Sequence, residues 1–272
     1  MSTVAVTLSI VSINFNDATG LERTAKSINS LNFKDFEWIV IDGGSKDASV
    51  EIAKKYSADK LISEKDKGIY DAMNKGISLA SGRLIIFMNS GDSFFSAGCL
   101  DFLTGIDQGL CLIHADALCC KDNRSFKRIS KIKGPLSFLS LTSYCHQSII
   151  YNLEAIKNIG GYTLDLTISS DYDLTYRYTK RFGAIKQYSI IARHELDGVS
   201  NLGRFDAIKE NLKSLRKNGP FYVFFLLLII MPLMVLKMFV IAGMEKMGLL
   251  WGYRRARGYL RGDSKTDNNT LN

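Results

Sequence analysis

The sequence predicts an α/β protein built on a Rossmann-like, mostly parallel sheet with helices on both faces. Three observations predict it. From Val4 to Met88 the chain alternates strand, helix, strand, helix, strand, helix, strand. The strand-like runs are short and apolar, the pattern of parallel strands covered on both sides. Three of them stop at small polar turn formers: Asn14-Phe15-Asn16, Asp42-Gly43-Gly44-Ser45 and Asn89-Ser90-Gly91-Asp92.

Each element follows from its residues. Val4 to Ile13 is rich in Val, Ile and Thr and reads as the first strand. Ala18 to Leu31 is a helix with Leu21, Ala25, Ile28 and Leu31 on one face. Phe36 to Ile41 is the second strand, and Asp47 to Tyr56 a helix that Asp47 can cap. Leu61 to Ser63 is a short third strand, Gly68 to Ala80 the third helix and Leu84 to Met88 the fourth strand. After Phe95 the alternation loosens. Cys111 to Leu118, Ser148 to Tyr151 and Tyr188 to His194 read as strands, Ser170 to Phe182 and Asp206 to Lys217 as helices.

Bulk properties narrow the classes. At 272 residues the chain can bury one large core, and residues 1–215 are expected to form it. Five cysteines without a CxxC pair argue against a disulfide framework and fit a reducing cytoplasm. Cys111, His114 and Cys119 match no zinc spacing. No signal peptide is expected, since the first basic residue is Arg23. The net charge of +8 is partly local, with six basic residues against one acid, Glu245, between Lys237 and Arg261. Beside an apolar stretch this suggests an anionic membrane surface, and no nucleic-acid motif is present.

The polar strand ends carry the chemistry. In a parallel sheet they lie side by side, where open α/β sheets place their ligand crevice. An aromatic ring, Phe15, and two carboxylates, Asp42 and Asp92, would then converge there. A nucleotide needs such a mixture: a face to stack the base, a carboxylate for a base N–H, and a metal-binding carboxylate beside the phosphates. No G-x-G-x-x-G follows the first strand and no Walker A motif exists, so NAD, FAD and P-loop chemistry are not expected.

These same residues resemble a known family. Ser9 to Asn16, Trp38 to Asp47, Asp66 to Gly76, Ile86 to Asp92 and Ser170 to Leu174 resemble, in order and spacing, the inverting family 2 glycosyltransferases of the GT-A (nucleotide-diphospho-sugar transferase) fold. The resemblance covers about residues 1–200 and is nearest to the bacterial colanic acid and exopolysaccharide members. It implies a nucleotide-sugar-binding half over 1–100 and an acceptor half over 101–215. By position it implies that Phe15, with Asn14, packs on the nucleobase and Asp42 contacts it. Asp71 and Asn74 would line the donor sugar and diphosphate, Asn89 and Asp92 the metal motif, with Mg²⁺ or Mn²⁺ as cofactor. Asp171 would be the general base. His146, Gln147, Tyr172 and Asp173 would border the acceptor, with Asp173 an alternative base, and His194 would help hold the metal or diphosphate. Two positions depart from the family pattern: Gly91 stands where a carboxylate is common, and Ser170 replaces a glutamate before the base.

The C-terminal part reads differently. Phe221 to Leu236 is apolar and interrupted only by Pro232. As a helix it would span about 24 Å, short of the roughly 30 Å hydrocarbon core. Basic residues flank it on both sides, which a single span cannot keep cytoplasmic together. Residues 216–261 are therefore expected to lie in or re-enter the membrane surface, followed by a disordered tail over 262–272. The full expectation is an inverting transferase at the cytoplasmic face of the plasma membrane. Its donor is a nucleotide-diphosphate sugar, its acceptor a saccharide on polyprenyl pyrophosphate. Direct transfer to polyprenyl phosphate, or a non-catalytic nucleotide-sugar-binding scaffold subunit, remain open alternatives.

Overall fold

Strand β1 (Leu8–Asn14) is buried along its whole length, because alternate side chains find apolar cover on opposite faces. Leu8 and Ile10 pack with Leu21, Ala25 and Ile28 of α1 (Ala18–Asn29) and with Ala53 of α2 (Ser49–Lys55). Val11 and Ile13 meet Tyr70, Met73 and Ile77 of α3 (Ile69–Leu79) on the other face. The computed structural model describes residues 6–107, 109–121, 124–133, 137–138, 144–195 and 204–219, with single positions at 240, 243 and 247.

β1 pairs in parallel with β2 (Phe36–Asp42) and β4 (Leu84–Phe87), and β2 with β3 (Lys60–Ser63). This half matches the expected doubly wound pattern. The second half does not. β8 (Ile149–Asn152) runs antiparallel to both β4 and β6 (Leu112–Lys121). β7 (Arg124–Arg128) folds back on β6 as a hairpin. β9 (Ala184–Glu195) is parallel to β6 but antiparallel to β5 (Ser93–Phe94). The spatial order β3-β2-β1-β4-β8-β6-β9-β5 is therefore a mixed sheet rather than a mostly parallel one. Antiparallel pairing needs no helical crossover, and among the described residues no α-helix stands between β4 and β8. α4 (Leu153–Asn158) and α5 (Ser170–Phe182) thicken the layer that α3 begins, and α6 (Arg204–Asn218) packs on α5.

One connection positions the site. After β4 the chain turns at Asn89 to Asp92, leaves its neighbours and pairs with β9 across the sheet. Ser93 stands opposite Arg193, so Asp92 comes to lie against His194. Gly91 makes that turn at a φ of +90°, a conformation costly for any side chain. The residue expected to be acidic in the family is thus fixed as glycine by the backbone.

Nearly all of the expected membrane segment 216–261, including the apolar run from Phe221, and the whole 262–272 tail lie outside the described residues. Among the described residues no helix is long and apolar enough to cross a membrane.

At the end of the sheet opposite the polar turns, Glu37 ties three segments together. It accepts hydrogen bonds from Ser9 Oγ (2.6 Å), Ser81 N (2.7 Å) and Lys60 Nζ (2.7 Å). Burial works against the charged carboxylate, but these bonds outweigh it and hold the pKa at about 2. The stability this contributes is full above the ordinary value of 4.5 and disappears as the pH falls through about 2. Glu37→Gln is expected to lower unfolding free energy at pH 7 by about 3 kcal/mol. Urea melts should show the deficit shrinking between pH 4.5 and 2. Parallel wild-type and variant curves across that range would contradict it.

Candidate active site

The polar turns open onto one crevice of about 1590 Å³. Asn14, Phe15, Asn89, Asp92, His146, Gln147 and His194 all line it, so seven of the expected residues do converge. Phe15 is 65% exposed, an unusual state for phenylalanine that leaves its ring free for a ligand. Asn16 holds the adjoining turn at a φ of +49° because its backbone donates to Ser45 Oγ and its side chain accepts from Lys46 N.

Asp92 is 6% exposed and sits in a tight cluster. Its Oδ1 lies 2.8 Å from His194 Nδ1, and its Oδ2 accepts from Gln147 Nε2 at 2.6 Å. The same Gln147 nitrogen is 3.0 Å from His194 Nδ1. Gln147 is anchored in turn by Cys145, whose Sγ donates to its Oε1 at 2.8 Å. Among the described residues no group of three or more His, Cys, Asp and Glu side chains is arranged as a metal cage. A divalent ion here would use Asp92 and His194 and complete its shell with substrate oxygens and water, the habit of Mg²⁺. The buried Asn89 Oδ1, which lacks a partner, supports a polar guest on this floor.

Asp171 stands one residue away from the cluster. Its Oδ2 is 3.8 Å from His146 Nδ1, and its Oδ1 is 3.4 Å from the Tyr70 hydroxyl. Burial pushes the Tyr70 hydroxyl far up, so it stays a donor. Burial also lowers the pKa of His146, against the pull of the Asp171 and Asp92 carboxylates, which keeps the imidazole largely neutral. Its Nε2 is buried without a partner.

Several expected residues stand elsewhere. Asp42 is fully buried and its two oxygens accept from Asn14 Nδ2, Ser45 N, Ser45 Oγ and Ser63 Oγ, which leaves nothing for a base. It braces the strand ends and does not open on the crevice. Asn74 clips the 161–162 loop, bonding Tyr162 O and Tyr162 N, each at 2.9 Å. Asp71 accepts from Lys67 N, just ahead of its own helix, and faces a separate shallow groove. Tyr172 is core, its hydroxyl donating to Phe138 O and its ring packed edge-on against Phe138. Asp173 is 3% exposed and accepts from Arg177 Nε, Ser214 Oγ and Asn218 Nδ2. It ties α5 to α6 and has no free oxygen for a proton. Asp171, whose side chain is 28% exposed, is the carboxylate of the pair that remains open.

The structure adds residues that periodicity alone did not mark. Asp17 caps α1 through Gly20 N, receives the Ser90 hydroxyl at 2.8 Å and lies 3.7 Å from where a side chain on Gly91 would begin. It thus brings a carboxylate near the one missing at Gly91. Arg23, Lys46, Lys65 and Arg193 line the crevice and supply positive charge. The N-terminus of α3 adds backbone N–H groups at Gly68, which has no side-chain cap.

Comparison with known proteins gives a consistent result. Residues 9–133 match the model of the family described as glycosyl transferase family 2. An uncharacterized glycosyltransferase of Mycobacterium tuberculosis is 31% identical over 238 residues, 80% of this chain and 87% of the relative. Among solved structures, Staphylococcus aureus TarS 1–349 in complex with UDP-GlcNAc superposes with a TM-score of 0.63 at 14% identity. That match covers 77% of this chain and 64% of the other, so this chain spans less than two thirds of it. The mannosyltransferase PcManGT of Pyrobaculum calidifontis, in complex with GDP-Man and Mn²⁺, gives 0.59 at 14% identity, covering 79% and 64%. At such identities the likeness speaks for a shared GT-A-like fold.

The two neighbouring carboxylates of α5 should separate by stability. Asp173→Ala takes the carboxylate from part-buried Arg177 and the acceptor from Ser214 and Asn218, and is expected to cost about 3 kcal/mol. Asp171→Asn should stay within about 0.5 kcal/mol of wild type, as for a half-open surface position. Denaturant melts of both variants check this; equal losses would show that Asp171 is structural too.

Proposed function

The chain belongs to glycosyl transferase family 2, and from that premise we propose that it is an inverting, metal-dependent transferase acting in surface polysaccharide assembly. It would move a sugar from a nucleotide-diphosphate donor to a saccharide carried on a polyprenyl pyrophosphate lipid. The observation that carries the reading is the Asp92–His194 contact on the crevice together with Asp171, which stands 3.8 Å from the crevice-lining His146. A charge-binding corner and a proton acceptor stand on either side of His146.

The roles follow from chemistry. Asp92 and His194 would hold Mg²⁺ or Mn²⁺, which would neutralise charge growing on the departing diphosphate. Gln147 orients Asp92 through its bond to Oδ2 and lies against His194. Arg23, Lys46, Lys65 and the uncapped α3 N-terminus face the phosphates with preorganised positive charge and N–H donors. A nucleoside diphosphate so stabilised leaves without a general acid. Asp171 takes the proton from the acceptor hydroxyl as that oxygen attacks the anomeric carbon from the face opposite the diphosphate. The Tyr70 hydroxyl donates to Ile168 O at 2.6 Å with Asp171 Oδ1 3.4 Å away, and His146, kept neutral by burial, stands 3.8 Å from Asp171 Oδ2.

Location at the cytoplasmic face of the plasma membrane is supported by the basic, apolar sequence after α6, and it suits an acceptor on a lipid. The test is kinetic. Asp171→Asn is expected to lower turnover by about 10²–10⁴-fold. Nucleoside diphosphate binding should change little, and the wild-type product should carry inverted anomeric configuration by NMR. Retention of configuration, or a fully active Asp171→Asn, would overturn the reading.

A further inference from the structure

The end of the crevice beside Phe15 contains a second constellation. Gly43 forms its floor. A side chain begun at Gly43 would stand 3.1 Å from the Phe15 ring and 3.3 Å from Asp66 Oδ2, so glycine leaves open a slot between an aromatic edge and a carboxylate oxygen. Both walls line the crevice. The carboxylate is asymmetric. Asp66 Oδ1 accepts from Lys75 Nζ at 2.6 Å, whereas Oδ2 has no hydrogen-bond donor among the described residues. Beside it, the Lys65 backbone N lies 3.5 Å from where a side chain on Gly44 would begin. Lys46 and Lys65 border the same turns.

We infer that this slot reads the nucleobase of the donor through Asp66, and that it is built for a uracil-type edge. The inference rests on the nucleotide-sugar reading above and specifies its base. A flat ring can lie against Phe15, since stacking tolerates any base. The hydrogen-bonding edge is what discriminates. Uracil offers one donor, N3–H, between two carbonyl acceptors. One free carboxylate oxygen takes the N3–H, and the Lys65 N–H with the neighbouring lysines meets the carbonyls. Guanine offers two adjacent donors, N1–H and the 2-amino group, which call for both oxygens of a carboxylate, and Lys75 already holds one. The other carboxylate of this region, Asp42, is saturated by its own loop and cannot substitute.

The experiment is calorimetric titration of the full chain with UDP, GDP, ADP, CDP and inorganic pyrophosphate, each with Mn²⁺. UDP is expected to bind at least tenfold tighter than GDP or ADP. Asp66→Asn places an amide N–H₂ where the acceptor stood and should cut UDP affinity at least tenfold, with CDP and pyrophosphate unchanged or improved. Gly43→Ala, which leaves the Asp66–Lys75 pair intact, should weaken UDP several-fold while sparing pyrophosphate, and it carries the test should Asp66→Asn fail to fold. Tighter binding of GDP or ADP, equal loss of all ligands in Asp66→Asn, or unchanged UDP affinity in Gly43→Ala would overturn the base assignment while leaving the donor reading intact. Failure of every nucleoside diphosphate to bind would instead remove the donor reading, and this inference with it.

Discussion

The contact between Asp92 and His194 depends on a two-residue strand. β5 contains only Ser93 and Phe94, yet its pairing with β9 bends the chain from the end of β4 across the sheet. That bend places a carboxylate from the parallel part of the sheet against an imidazole of β9, 102 residues apart in sequence. Gln147, from a third segment, bonds to Asp92 and contacts His194, and it is itself 2% exposed. A buried polar cluster of this kind is rigid only if each member is satisfied. Here Gln147 donates to Asp92 Oδ2 and so orients its carboxylate before any ligand arrives.

The acidic residues divide into two groups by what they bond. Glu37, Asp42 and Asp173 are buried and receive three or more donors each, so their charge is spent inside the fold. Asp66, Asp92 and Asp171 sit at the crevice or beside it with part of their capacity open. The first group fixes strand ends and the α5–α6 pair, and the second is held in place by them. Asp42 illustrates the coupling: its bonds to Asn14, Ser45 and Ser63 join three loops, and Phe15 and Gly43 project from two of these.

How much of this could be read from the sequence follows from range. The parallel half was legible because runs such as Leu84 to Phe87 report burial on both faces without any partner being known. Helix α5 was legible over Ser170 to Phe182 by its spacing, and Gly183 ends it at a φ of +80°. β7 and α4 were not, being short segments whose order comes from pairing with β6 and from packing under the sheet. The mixed strand directions were illegible too, since direction depends on connections rather than on side chains. Position in a motif located Phe15, Asp92, His146, Gln147 and His194 on the crevice. It did not distinguish Asp42, Asp71 and Asn74, because a carboxylate or amide serving a turn has the same sequence signature as one serving a ligand. Asp17 carried no distinguishing pattern and Asp66 only a place at the start of a motif block; placement against Gly91 and Gly43 brings them forward.

The central claim is that Asp92 and His194 together form the metal-dependent corner where the donor diphosphate binds. Thermal melts of the full chain with UDP, in the presence and absence of Mn²⁺, address it most directly, because a ligand that binds only the folded state raises its melting temperature. The account predicts a Mn²⁺-dependent rise in the wild type that disappears in both Asp92→Ala and His194→Ala. A rise of equal size in Asp92→Ala would contradict it.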